Sequence, residues 1–129
     1  MNEKALKNVL LTNALFSVFC GIFLIFAPGQ IANLMGGHPE WIYLALGVGL
    51  IVFAADVAFV ATRAAINPLF AKMILWADIG WVLGSVALLA FGHSLFSVPG
   101  LMAIIAIGAL VGLFSVLEHR HMKAPSAAI

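Results

Sequence analysis

Two aspartates, Asp56 and Asp78, stand inside long apolar runs, "VFAADVAFV" and "ILWADIGWVLGS". A carboxylate at the middle of a membrane helix costs about 2.5–3.5 kcal/mol on insertion scales, so it is seldom accidental. Two such groups at one level could share a proton and relay it, or ionise to receive a cation or an amine. Asn13, Ser17 and Ser115 offer amide and hydroxyl partners, and Trp81 offers an aromatic wall for a cation or a flat ligand. The competing reading is structural. Each Asp is then protonated, or hydrogen-bonded to Asn13, Ser115 or an indole N–H, and only fixes helix register.

Other chemistry-bearing residues are few. His38 and His93 fall on connections at one side of the chain, near Glu40, where two imidazoles could ligate a metal or a haem edge-on; ordinary loop histidines are the alternative. His119 and His121, in "EHRHMK", are expected to be solvated beside Glu118, and Trp41 and Tyr43 to belong to an interfacial aromatic belt. The single cysteine, Cys20, excludes an intramolecular disulfide and thiol-oxidase chemistry. No hydrolase, phosphate-loop or redox-thiol constellation is present, which points away from an enzyme. A net charge of +1 with six scattered Lys/Arg points away from nucleic acid.

The elements that must carry these residues follow from composition. The 129-residue chain is 64% hydrophobic and 9% charged, against about 25% charged in soluble domains, so its solvent is lipid. Four segments reach the roughly 20 apolar residues that a helix needs to cross hydrocarbon: about 5–27, 41–62, 69–92 and 99–118. They predict one all-α membrane domain, a four-transmembrane-helix bundle with a polar tail over 119–129. The separators "PGQ", "GGHPE", "INP" and "GHSLFSVPG" carry turn chemistry. Asn67 before Pro68 reads as a helix cap with proline at the first position. "QIANLM" reads as a short interfacial turn, and the first apolar run is too long for a cleaved signal.

All six Lys/Arg (Lys4, Lys7, Arg63, Lys72, Arg120 and Lys123) fall on one side of this topology. The positive-inside rule makes that side cytoplasmic, with both termini inside the cell and the protein in the inner membrane. Counting 1.5 Å per residue from these charges puts Asn13, Asp56, Asp78 and Ser115 at one depth. A weak parallel repeat of helical hairpins supports the level: "NALFSVFCGIFLIFAPG" lies on "DIGWVLGSVALLAFGHS", and "GLIVFAADVAFVATR" lies on "GALVGLFSVLEHRH". Helical spacing extends it into stripes, Asn13–Ser17–Cys20 on the first helix, Asp78–Trp81–Ser85–Gly92 on the third, and Gly108–Gly112–Ser115–His119 on the fourth, with Glu118 close by. Opposite Asp78, Ala77, Gly80, Gly84 and Ala87 form a small-residue face suited to close helix approach in a homo-oligomer.

In length and four-helix topology, and in stretches such as "NALFSVFCGIFLIFAPG", the chain resembles small bacterial inner-membrane families of unknown function, the broad DoxX-like group among them. The resemblance implies the architecture and no catalytic residue. The chain is also similar in size to small multidrug-resistance transporters. Those place an essential Glu in the first helix, where this sequence has Asn13 and Ser17. Three function classes remain: an intramembrane site binding or transporting a proton-coupled cation or small amphipathic ligand; an accessory or scaffold subunit of a larger membrane complex; and haem or metal binding through His38 and His93.

Overall fold

Apolar runs of this length leave the backbone one way to satisfy its own polar groups in lipid, the helix. The computed structural model describes residues 1–123. It contains α1 (Glu3–Phe26), a short α2 (Pro28–Met35), α3 (Glu40–Ala61), α4 (Pro68–Phe91), a 3₁₀ turn (His93–Leu95) and α5 (Val98–Lys123). No strand occurs among the described residues. The four long helices hold 24, 22, 24 and 26 residues, or about 33–39 Å of length, enough to cross a hydrocarbon core of about 30 Å. Large apolar side chains such as Phe26, Leu83, Phe91 and Met102 point outward. A water-facing surface of that kind would aggregate, whereas lipid accepts it. The chain is a multi-pass membrane protein with an all-α four-helix bundle.

Local signals set the helix ends. Asn2 caps α1, its side-chain oxygen accepting from the Ala5 N–H at 3.2 Å. Asn67 caps α4 in the same way from the Leu69 N–H at 2.9 Å, with Pro68 at the first helical position. The last helix overruns its expected end at 118 and continues to Lys123. Its final turn carries Arg120, His121 and Lys123, which complement the negative end of the helix dipole. The Asn2 backbone N–H donates to the His121 carbonyl at 2.8 Å, satisfying one of the terminal acceptors. The rest of the expected tail, 124–129, lies outside the described residues. The "QIANLM" stretch is part of a full eight-residue helix, α2, whose Ala32 is buried against Leu24 and Tyr43.

The neighbour order is α3–α1–α5–α4. The α1–α3 seam is the tightest because two glycines meet there. A Cβ on Gly21 would lie 3.0 Å from the Gly47 carbonyl oxygen, and one on Gly47 would lie 3.0 Å from that of Gly21. On the other hairpin Gly108 backs onto Ser85, where a Cβ would stand 3.3 Å from the serine Cβ. Phe16 and Phe114 join α1 to α5 with ring centroids 5.9 Å apart. By contrast α3 and α4 barely touch beyond their connection. At the basic end Leu6, Leu10, Ala14, Val57, Val60, Ala71 and Ile74 form one apolar cluster.

The far end is closed by connections. Gly36 adopts φ 139°, a left-handed conformation that favours glycine, and an added Cβ there would lie 2.9 Å from the Leu95 carbonyl oxygen. The Ser97 N–H donates to the Met35 carbonyl at 2.9 Å, and the Ser97 hydroxyl donates to the Leu34 carbonyl while accepting from the Gly100 N–H. These bonds tie the end of α2 to the start of α5.

Candidate functional site

The interior seam of α1 runs Leu6, Leu10, Asn13, Ser17, Gly21 and Leu24, a helical stripe interrupted by two polar residues. That of α5 runs Gly108, Val111, Ser115 and Glu118 at i, i+3, i+7 and i+10. On α4 the buried positions are Ala71, Ile74, Leu75 and Asp78. These stripes converge on one polar centre. The Asn13 side-chain amide donates to Asp78 Oδ2 at 2.7 Å and to Glu118 Oε2 at 3.1 Å. Asn13 Oδ1 accepts from the Ser17 hydroxyl at 3.4 Å. Asn13, Asp78 and Glu118 are 1%, 4% and 0% exposed, so the centre is shut from both lipid and bulk water.

The two carboxyl groups lie within hydrogen-bonding reach of each other. The other Glu118 oxygen, Oε1, is buried and receives no hydrogen bond from any N–H or hydroxyl group among the described residues. Asn13 has only two amide hydrogens, and each carboxyl takes one. Nor does any Lys, Arg or His among the described residues form a salt bridge to either acid. With both acids ionised the centre therefore has acceptor capacity that the described residues leave unfilled, which a proton shared between the two carboxyls would fill.

Several expected members of the site sit elsewhere. Asp56, expected at the level of Asp78 and as its acidic neighbour, is exposed on the outer side of α3, and Glu118 occupies the position beside Asp78. Counting along a helix carries no azimuth: the Gly21–Gly47 seam turns Tyr43, Gly47, Ala54 and Val57 toward α1 and leaves Asp56 facing away. Ser115 is buried one turn from Glu118, where its hydroxyl donates to its own helix, at the Val111 carbonyl, 3.0 Å away. Ser17 reaches the centre only through Asn13. Trp81 is half-buried and makes no hydrogen bond to these groups among the described residues, and Trp76 faces outward. His119 is exposed, as expected of a solvated residue, although the inward stripe of the fourth helix included it; the seam passes instead to Glu118 at i+3 from Ser115.

The external histidines do not form a pair. His38 Nδ1 meets the Tyr43 hydroxyl at 2.7 Å, and His38 Nε2 meets the Leu95 carbonyl at 2.7 Å. Since a carbonyl only accepts, Nε2 carries the proton and the Tyr43 hydroxyl donates to Nδ1. Both ring nitrogens are thus committed, and the Phe96 ring packs 4.9 Å from the imidazole. His93 is exposed, and no group of three or more potential metal ligands occurs among the described residues. Tyr43, expected in an interfacial belt, is instead buried and holds this latch, while Trp41 is exposed.

Glu118 is the member that sequence reasoning misses. It stands two residues before Arg120, at the last position of the expected span, and reads as a neighbour of the inward stripe and not as a member of it. The available signal is its i, i+3, i+7, i+10 alignment with Gly108, Val111 and Ser115. Comparison with protein-family models, with curated proteins and with solved structures finds no match to this chain.

Proposed function

We propose that this protein binds a proton-coupled cation at the Asp78–Glu118–Asn13 centre, as a multi-pass protein of the inner membrane with both termini cytoplasmic. The observation that carries the reading is two buried carboxyl groups converging on one amide, with Glu118 Oε1 unfilled. Two bare carboxylates have no hydrogen to place between them, and two unpaired buried charges are prohibitively costly. At least one proton or small cation must therefore sit with the pair, so that the two carboxyls do not carry two bare charges. Exchange of one for the other is the elementary step of proton-coupled binding. The orientation rests on the Lys/Arg residues, which all belong to the end where Asn2 meets His121 and the Lys7 ammonium donates to the Ala64 carbonyl. A larger amphipathic ligand gains no support: a surface depression between α1 and α5, lined by Asn8, Val9, Thr12, Phe114 and Leu117, includes none of the centre's residues.

Infrared difference spectroscopy on protein in lipid tests this reading. Wild type should show a protonated-carboxyl band that shifts or disappears on a change of pH or cation, and Glu118→Gln should lose it while remaining folded. A band unaltered in both Glu118→Gln and Asp78→Asn would refute the assignment. The scaffold reading is favoured by Gly80 and Gly84, around which α4 has open space; under it, Glu118→Gln would leave association with other chains intact and have no spectroscopic counterpart.

A further inference from the structure

Asp56 is a carboxylate five residues inside the end of α3, exposed on a face that no other element among the described residues covers. Lipid is a poor neighbour for it. We infer that this face docks onto the outer face of α4 in a second copy of the chain, with Asp56 paired to Lys72 of that copy.

The match is one of charge and register. Copies inserted in the same orientation share a common depth scale, measured from the basic end. Asp56 lies five residues from the end of α3 at Ala61, about 7.5 Å deep, and Lys72 lies four residues from the start of α4 at Pro68, about 6 Å deep. Gly49 and Gly80 are each twelve residues from the same helix ends, about 18 Å deep, and Ala45 and Gly84 are each sixteen, about 24 Å deep. Ala45, Gly49 and Asp56 share a face of α3 at i, i+4 and i+11; Gly80 and Gly84 share one of α4, with Lys72 on its flank. All six residues are exposed, and a Cβ added at Gly49, Gly80 or Gly84 would meet nothing within 4 Å. Within one chain α1 and α5 stand between these faces in the neighbour order, and α3 and α4 meet only around their connection. The contact is therefore intermolecular and head-to-tail, and it propagates into a ring or an open array. It is independent of the Asp78–Glu118 centre, none of whose residues it uses.

Mixed cross-linking provides the test. In a Cys20→Ser background, one tagged chain carries Gly49→Cys and a differently tagged chain carries Gly80→Cys, and both are co-expressed and oxidised in native membranes. A disulfide dimer bearing both tags, formed at least tenfold more than either chain forms with itself, is the expected result. Absence of the mixed dimer, or equal self-linking of Gly49→Cys chains, overturns the proposal. The charge pair is tested by size in a lipid nanodisc or mild detergent: Asp56→Lys or Lys72→Asp should reduce the assembly to monomers, and the double variant should restore it. Wild type that runs as a monomer overturns the proposal, as does a folded double variant that stays monomeric. If the charge variants do not fold, the cross-link made on wild-type charges decides the outcome.

Discussion

Replacing Asn13 by alanine removes both amide hydrogen bonds at the centre, 2.7 Å to Asp78 and 3.1 Å to Glu118. Side-chain hydrogen bonds between membrane helices average about 0.6 kcal/mol in double-mutant cycles, with a maximum near 1.7. Two of them sum to about 1–3.5 kcal/mol. The shorter bond, to Asp78, should supply the larger share. Because Asn13 joins α1 to both α4 and α5, the loss should appear as coupling between helices rather than as local fraying. The assay is equilibrium unfolding in mixed detergent micelles followed by tryptophan fluorescence. Cycles would pair Asn13→Ala with Asp78→Ala and, separately, with Glu118→Ala. Each should give a coupling energy of about 0.6–1.7 kcal/mol. Thr12→Ala is the control, since that hydroxyl is exposed and donates only to the Asn8 carbonyl of its own helix. Coupling indistinguishable from that of the control in both cycles would refute the idea that Asn13 holds the carboxyl pair together.

Two further outcomes test the frame around the centre. Gly21→Leu should destabilise the fold by about 1–3 kcal/mol through overpacking, because its Cβ would fall 2.8 Å from Ile51 Cδ1 and 3.0 Å from the Gly47 carbonyl; the same unfolding assay reads it. His38→Ala should cost about 1–3 kcal/mol for two hydrogen bonds and raise amide exchange over 93–97, while exchange at the basic end stays at the wild-type rate.

Much of the architecture is legible in the residues themselves. The expected spans 41–62 and 69–92 differ by one residue at each end from Glu40–Ala61 and Pro68–Phe91, because hydropathy and the Asn67–Pro68 cap are local signals. Depth is legible too: Asn13 and Asp78, aligned by the weak internal repeat, do meet across the interior. Azimuth is not. Whether a residue at a given depth looks inward depends on which helices are neighbours, and that order follows from close approaches such as Gly21–Gly47. Asp56 and Ser115 show this failure, since the repeat equates them and the fold sends one outward and the other inward. The hairpins α1–α3 and α4–α5 are alike in pairing, but α1 meets α5 broadly while α3 and α4 hardly meet. A repeat in sequence does not reveal that asymmetry.

The sequence separations within the polar centre also bear on how the protein is made. Asn13 precedes Asp78 by 65 residues and Glu118 by 105. The first hairpin can thus enter the bilayer carrying only neutral polar groups, Asn13 and Ser17, in its seam, with the two carboxyls of the centre following later in synthesis. When α4 arrives, Asp78 finds Asn13 already in place. Until α5 is inserted, however, one flank of that pair faces lipid instead of Glu118 and its helix. A nascent chain stopped between the last two spans therefore carries a polar scar that the finished protein hides. Completion of the fold and concealment of the Asp78 carboxyl are the same event, timed to the final helix.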